Sequence, residues 1–168
     1  MNRLFYAIAA TALVLAGCPS DPEADHCTPA SGEICSIAGG DAAGLSGDGD
    51  LAVDAELYLP MDMEVGPDGR LYVVDWNNHR IRVIDTAGII DTFAGTGTLG
   101  DGPVDVLAVD SDFNHPTDIA FDSDGNMVIA AWHNSRIKTI DMATGIIRDL
   151  LSADRTRSAL DGTKYGRP

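Results

Sequence analysis

Short runs of alternating apolar and polar residues, separated by turn sequences, dominate the chain between about residue 34 and residue 151. Such runs have the length and the period of two that are typical of β-strands with one face buried. Pro67-Asp68-Gly69 separates two of these runs, and it predicts a tight turn because Asp favours the start of a turn and Gly accepts a positive φ. The predicted strands of this first set are residues 61–65, 70–75, 80–85 and 89–94.

The same pattern occurs a second time along the chain. Residues 60–85 align with residues 116–141 at a constant offset of 56, and 10 of the 26 aligned positions are identical. The second set of predicted strands is residues 117–122, 126–131, 136–141 and 146–151. Four antiparallel strands in a repeat of this length predict one blade of a β-propeller. The alternation of Leu71 with Val73 and of Ile81 with Val83 predicts a face that packs on a neighbouring blade.

The segment DGRLYVVDWNNHRIRVID, residues 68–85, closely resembles the NHL repeat. IIDTFAGTG followed by GDG, and the earlier ICSIAGG followed by GDGD, resemble the long-loop form of that repeat. The resemblance covers about residues 34–151 and implies an all-β fold of antiparallel, four-stranded NHL-type propeller blades. It implies no particular activity, because the family includes binding platforms, kinase sensor domains and lyases. The second copy departs from the motif, since Ala131 replaces Asp75 and Ser135 replaces His79, which puts the rigidity of that turn in doubt.

Two blades are fewer than the four to eight or so that close a propeller ring. We therefore expect an incomplete propeller with blades at about residues 52–95 and 103–151, plus one extra strand at 34–38. Residues 152–168 are interpreted as a tail or as the start of a truncated third repeat. The alternatives are an oligomer in which three chains supply six blades and a stand-alone open sheet. We expect a fragment from residue 20 onward to be oligomeric, aggregating or only loosely folded, because open blade edges and faces favour association.

The first seventeen residues are interpreted as an export signal. Arg3 supplies the positive charge, and the apolar stretch of residues 4–15 is too short for a membrane-spanning helix, which needs about 20 residues. Leu15-Ala16-Gly17-Cys18 resembles the lipobox of bacterial lipoproteins, which implies cleavage before Cys18 and attachment of lipid to its thiol. An ordinary secretory signal with a chance cysteine is the alternative. An aspartate directly after the lipidated cysteine resembles an inner-membrane retention signal. This chain has Pro19 at that position, which favours the outer membrane.

Residues 18–33 are interpreted as the lipidated cysteine and a flexible tether, because they are rich in proline and acidic residues. Cys27 and Cys35 remain after Cys18 is set aside. An even pair of cysteines in an oxidising compartment favours a disulfide. Free thiols and a metal or redox pair beside His26 are the alternatives.

A formal net charge of −15, from 26 acidic and 11 basic residues, makes nucleic acid an unsuitable partner because phosphates would be repelled. The expected partners are the membrane, through the lipid anchor, and an unidentified protein or glycan. Self-association through open blade edges is a further expectation.

No catalytic, cofactor or metal site is predicted. In NHL-type lyases, zinc is held by histidines that follow the inner-strand proline, but Met61 and Thr117 occupy those positions here. His79 matches the repeat motif and is expected to be structural, while His115 directly precedes Pro116. The acidic loops at Asp48/Asp50 and Asp101, and the Asp122/Asp124 turn, resemble calcium loops, but simple turns are the preferred interpretation.

The leading hypothesis is therefore a cell-envelope lipoprotein whose NHL repeats form a noncatalytic scaffold for a protein or ligand. The alternative is a fragment of an NHL-type propeller enzyme, a lyase or hydrolase, whose catalytic residues lie in missing blades. A nonfunctional truncated product is a third possibility. The enzyme hypothesis predicts histidines after the inner-strand prolines of any further blade.

Overall fold

The structure is a computed structural model that describes residues 36–152. These residues form ten β-strands in two antiparallel sheets of five strands each. The only helical elements in this range are four 3-10 turns of three residues. The prediction of an all-β fold built from antiparallel blades is confirmed.

Blade 1 contains the first sheet, in the order β1-β5-β4-β3-β2. Its strands are β1 (Asp50–Leu51), β2 (Pro60–Val65), β3 (Leu71–Asp75), β4 (Arg80–Ile84) and β5 (Ile89–Ala94). Blade 2 repeats this order as β6-β10-β9-β8-β7. Its strands are β6 (Val106–Leu107), β7 (Pro116–Phe121), β8 (Met127–Ala131), β9 (Arg136–Ile140) and β10 (Ile146–Ser152).

The eight predicted strands are present, and their ends lie within one residue of the predicted positions. The Asp-Gly turns explain this accuracy. Gly69 and Gly125 adopt φ values of 78° and 83°, a conformation that other residues rarely adopt. In the second of these turns, Asp122 accepts hydrogen bonds from the backbone nitrogens of Asp124 and Asn126, at 3.0 and 2.8 Å. Both hairpin turns are therefore fixed by local sequence.

Each sheet has a fifth, two-residue strand at its outer edge that was not predicted. In blade 1, Asp50 and Leu51 pair with Ile90 and Ile89. The expected extra strand at residues 34–38 is not formed by Ser36–Ala38, and residues 34 and 35 lie outside the described range. A strand needs a neighbouring strand, whereas this segment continues into Gly39, whose nitrogen donates to the Ala52 carbonyl at 3.0 Å.

The core lies between the blades and on both faces of blade 1. The larger cluster joins residues of blade 1, such as Tyr72, Val74 and Ile81, to residues of blade 2, such as Ile129. A smaller cluster covers the opposite face of blade 1, where Val73 and its neighbours pack against the segment before β2. Strands β3 and β4 are therefore buried on both faces, whereas the sequence alternation had indicated one packed face.

Candidate functional site

The turn between the second and third long strands of each blade places aromatic side chains at one end of that blade. Trp76–Asn78 and Trp132–Asn134 form the 3-10 turns, and each is followed by a residue in the left-handed region, His79 with φ 53° or Ser135 with φ 52°. The last asparagine of each turn holds it against the preceding loop. Asn78 Nδ2 donates to the Gly44 carbonyl at 2.7 Å, and Asn134 Nδ2 donates to the Gly100 carbonyl at 2.9 Å.

The turn of blade 2 keeps this geometry although it lacks the aspartate of blade 1. In blade 1, Asp75 is fully buried and accepts a hydrogen bond from the Tyr58 nitrogen at 2.7 Å. In blade 2, Ala131 replaces that carboxylate, and Asn134 Oδ1 accepts the equivalent bond from the Asn114 nitrogen at 2.9 Å. One asparagine therefore replaces the missing carboxylate as the acceptor in this turn.

Three histidines and two tryptophans meet where the two blades join. We call Trp76, His79, His115, Trp132 and His133 the histidine junction. The His115 ring lies 4.3 Å from Trp76, 4.5 Å from His79 and 4.8 Å from His133, measured between ring centroids. Trp132 continues the row at 4.1 Å from His133.

Two polar contacts within the histidine junction each require a ring nitrogen that carries no hydrogen. The His115 backbone nitrogen donates to His79 Nδ1 at 3.4 Å, so this nitrogen carries no hydrogen. The Nδ1 atoms of His115 and His133 are 3.0 Å apart, and such a contact is favourable only when one of them lacks a hydrogen. Burial, followed by the neighbouring His115, lowers the pKa of His79. Burial, followed by the neighbouring His133, lowers the pKa of His115.

The histidine junction is not a metal centre of the kind that the lyase alternative requires. Within residues 36–152, no group of three or more His, Cys, Asp or Glu side chains is arranged to hold a metal ion. Met61 is exposed, and Thr117 Oγ1 donates to the Ala130 carbonyl at 3.3 Å. The two positions after the inner-strand prolines therefore supply no imidazole.

The acidic loops that resemble calcium sites bind cationic side chains instead. Asp48 accepts hydrogen bonds from Arg82 Nη2 at 2.6 Å and from the Thr92 hydroxyl at 2.7 Å. Arg82 is fully buried, and it also lies 3.5 Å from the buried carboxylate of Asp75. Burial raises the pKa of Asp75, while Asn78, the Tyr58 nitrogen and Arg82 partly oppose the shift. These contacts fix the loop of blade 1 to its sheet.

Blade 2 has the same arrangement with a different cation. Asp101 lies 2.9 Å from Arg136 Nε and 3.4 Å from Lys138 Nζ. Lys138 replaces Arg82, is fully buried, and also contacts Asp149 at 3.1 Å. The sequence indicated these aspartates as loop residues, but their cationic partners lie 34 or more residues away and only the folded blade reveals them.

An open groove lies on blade 2 beside the exposed ring of Trp132. It has a volume of about 500 Å³. Its lining includes Thr117, Ala130, Trp132, Ser135, Ile137 and Leu151. Trp132 is 60% exposed and Leu151 is 44% exposed, so an aromatic wall and an aliphatic edge face solvent. We call this region the blade 2 groove.

Comparison with known proteins identifies the repeat. The family model described as the Teneurin NHL domain matches residues 21–103, which include the first complete repeat. The described residues thus form repeats of the NHL β-propeller type. A curated relative, Protein SUPPRESSOR OF QUENCHING 1, chloroplastic, from Arabidopsis thaliana, is 32% identical over 114 residues, which are 64% of this chain and 10% of the relative. Teneurin-1 from Homo sapiens is 52% identical over 40 residues, which are 24% of this chain and 2% of that protein.

Among solved structures, a structural genomics protein of unknown function from Bacteroides thetaiotaomicron is similar with a TM-score of 0.49 and 22% identity. The match covers 60% of this chain and 26% of that one. The NHL chain described here thus spans a tenth or less of the curated relatives and about a quarter of this structure.

The predicted lipid and disulfide sites lie outside the described residues. Cys18, Cys27 and Cys35 all precede residue 36, so lipid attachment and the Cys27–Cys35 disulfide stay predictions. Within residues 36–152, no helix is long and apolar enough to cross a membrane.

The histidine junction is the feature that the sequence did not predict. The 56-residue offset contains a partial signal, because it aligns His115 with Leu59, directly before the inner-strand proline. Only the stacking of blade 2 on blade 1 brings His115 onto the Trp76 turn of the preceding repeat.

Proposed function

We propose that this protein is a lipid-anchored lipoprotein of the bacterial cell envelope whose NHL blades form a noncatalytic scaffold that binds a protein or glycan. The observation that carries the proposal is the exposed blade 2 groove with Trp132 at its wall. Binding sites are typically concave and mostly apolar, with aromatic residues supplying large contact areas.

The composition of the groove supports recognition rather than chemistry. Its floor is formed by small and aliphatic side chains such as Ala130 and Ile137, and the hydroxyls of Thr117 and Ser135 are its small polar groups. The cationic Arg136 at its margin forms ion pairs with Asp101 and Asp149. A scaffold requires only such a surface, whereas a hydrolase or lyase requires an activated nucleophile, base or metal.

The anchoring half of the proposal rests on Leu15-Ala16-Gly17-Cys18 and its resemblance to a lipobox. Acyl chains on Cys18 would contribute about 0.8 kcal/mol per buried methylene group, enough for stable anchoring when several chains are attached. Without the inner-membrane retention aspartate after Cys18, the outer membrane or cell surface is the favoured location. The acidic chain, with a net charge of −15, suits a neutral or basic partner better than an acidic one.

Site-specific photocrosslinking in intact cells tests this function. A photoreactive amino acid at position 132 is compared with the same residue at position 109, where Val109 is also exposed, at 42%, but does not line the groove. We expect crosslinked species that depend on position 132 and remain with the membrane fraction. Protease and glycosidase digestion then distinguish a protein from a glycan partner. Equal crosslinking at positions 132 and 109, or none at either, would contradict a scaffold that acts through this groove.

A further inference from the structure

The contact between blade 1 and blade 2 shows how one NHL repeat receives the next. The residues just before β7 fill the open face of blade 1. Phe113 is fully buried in the core cluster that contains Ile81 and Ala94, and His115 stacks on Trp76 at 4.3 Å. His115 reaches Trp76 from the left-handed conformation, with φ 54°.

One hydrogen bond between the inner strands completes this contact. Asp62 on β2 accepts a bond from the Ile119 nitrogen on β7 at 2.9 Å. The receiving side of a blade thus consists of a tryptophan, two aliphatic positions and an inner-strand aspartate. The inserting side consists of the segment before the inner strand and an inner-strand nitrogen.

Blade 2 has a complete receiving side, and no described residue fills it. Through the repeat alignment and the strand pairing, Trp132 corresponds to Trp76, Ile137 to Ile81 and Leu151 to Ala94. Ala94 is fully buried, whereas Leu151 is 44% exposed. Asp118 corresponds to Asp62, is exposed, and accepts no hydrogen bond from any residue in the described range.

Blade 1 has a complete inserting side, which is also uncovered within the described range. Leu59 corresponds to His115 and has nearly the same conformation, with φ 56° against 54°. A leucine in the left-handed region is unfavourable by about 1 kcal/mol or more, and this one is also 55% exposed. Met61, Met63 and Val65 continue the exposed apolar row along β2, at 57%, 60% and 62%. Leu59 is thus a strained and exposed leucine at the start of an apolar strand, in the position from which His115 packs on Trp76.

We propose that a second copy of this chain docks head to tail, with its Leu59 packed on Trp132 and its Met63 nitrogen bonded to Asp118. The proposal rests on the proposed function, because it names the partner of the blade 2 groove. The inserting and receiving sides are different surfaces, so repeated docking is heterologous, and it closes into a ring when the rotation between successive blades matches that of a propeller. Propellers contain about four to eight blades, so a closed ring built from the two described blades of each copy contains two to four copies.

Docking requires one local rearrangement. In the repeat alignment, Ala38 and Leu151 both correspond to Ala94. Ala38 of the incoming copy and Leu151 of the receiving copy would therefore occupy the same position. Ser36–Ala38 belong to no strand, so they are the residues that move aside while β10 keeps its pairing with β9.

Sedimentation equilibrium of the full chain in density-matched detergent tests the proposal. The wild-type chain is expected to associate into two to four copies. Leu59→Glu and Leu151→Glu should each weaken association about a hundredfold or more, because each buries an unpaired carboxylate in an apolar contact. Leu107→Glu is the matched control, because Leu107 is 48% exposed on the outer strand β6 and should tolerate the charge. Circular dichroism verifies that each variant is folded.

Mixing the Leu59→Glu and Leu151→Glu variants distinguishes head-to-tail docking from nonspecific hydrophobic association. The Leu59→Glu chain retains an intact groove, and the Leu151→Glu chain retains an intact Leu59, so their mixture should form a one-to-one dimer that does not grow further. Asp118→Ala provides a second, gentler variant, with a loss of about tenfold from one hydrogen bond. A monomeric wild-type chain, unaffected association in the Leu59→Glu variant, or no dimer in the mixture would overturn the proposal. If association is absent but crosslinking from position 132 persists, the scaffold function stands and its partner is another molecule.

Discussion

Replacing Asp75 by alanine should destabilise blade 1 more than any other single carboxylate removal, because this side chain joins three groups inside the blade. Its carboxylate accepts bonds from the Tyr58 nitrogen and from Asn78 Nδ2, both at 2.7 Å, and lies 3.5 Å from Arg82. The substitution removes the acceptor of the Tyr58 nitrogen, and Asn78 Oδ1 replaces it only by taking the position that Asn134 Oδ1 has in blade 2. Asn78 retains the Gly44 carbonyl, and Arg82 retains Asp48.

The expected magnitude follows from these remaining contacts. Removing one partner of a buried ion pair costs about 3–5 kcal/mol when nothing replaces it. Because Arg82 keeps Asp48, and because removing Asp75 also relieves the burial of a carboxylate, we expect a loss of about 2–4 kcal/mol in the free energy of unfolding. For a folded unit of this size, that loss lowers the melting temperature by about 10 °C.

Thermal and urea unfolding followed by circular dichroism measure this change. Asp91→Ala is the control, because Asp91 is exposed on β5 and should change stability by less than about 0.5 kcal/mol. Blade 2 supplies a second comparison, since it combines Ala131 with Lys138 where blade 1 combines Asp75 with Arg82. The double variant Asp75→Ala with Arg82→Lys should be less destabilised than the sum of the single variants, by about 1 kcal/mol. A drop in melting temperature no larger than that of Asp91→Ala would refute the role given to Asp75.

Three further predictions concern the anchor, the cysteines and the histidine junction. Cys18→Ser should abolish metabolic lipid labelling and shift the protein out of the detergent phase; unchanged partitioning would contradict the lipoprotein assignment. Non-reducing peptide mapping of exported protein should find Cys27 joined to Cys35, and two alkylatable thiols in the intact protein would count against the disulfide. The pKa values of His79 and His115 are lowered in the folded chain, so the unfolded chain binds more protons near pH 6.5 and stability should fall as the pH drops through that value. Thermal melts between about pH 7.5 and 5.5 should show this slope, and a double His→Gln variant at these two positions that keeps the full slope would exclude them as its source.

The strands could be predicted from the sequence because each depends on local information. Alternating apolar residues and Asp-Gly turns such as Asp68-Gly69 define where a strand begins and ends, whatever packs around it. The two-residue strand Asp50–Leu51 has no such pattern, and it forms only because the loop is held beside β5. Its existence depends on tertiary contacts that the local sequence does not encode.

The site residues were harder to predict for the same reason. Asp48 looks like a turn residue in the sequence, but in the folded chain it neutralises Arg82 from 34 residues away. His79, His115 and His133 are separated by 18 or more residues along the chain and meet only when the blades stack. The repeat offset identifies equivalent positions, but it does not state which position of one blade contacts which position of the next.

Whether the blade 2 groove is occupied by a partner is the central question for this protein, and the fluorescence of Trp132 answers it most directly. The chain contains two tryptophans, so Trp76→Phe leaves Trp132 as the single reporter while keeping an aromatic ring beneath His115. In dilute solution, acrylamide should quench Trp132 freely, as its 60% exposure requires. As the protein concentration rises, Trp132 should become protected, and Leu59→Glu should abolish that protection while Leu107→Glu should not. Quenching that is the same at every concentration, or a Trp132 already shielded in the dilute monomer, would contradict the assignment of this groove as the docking site.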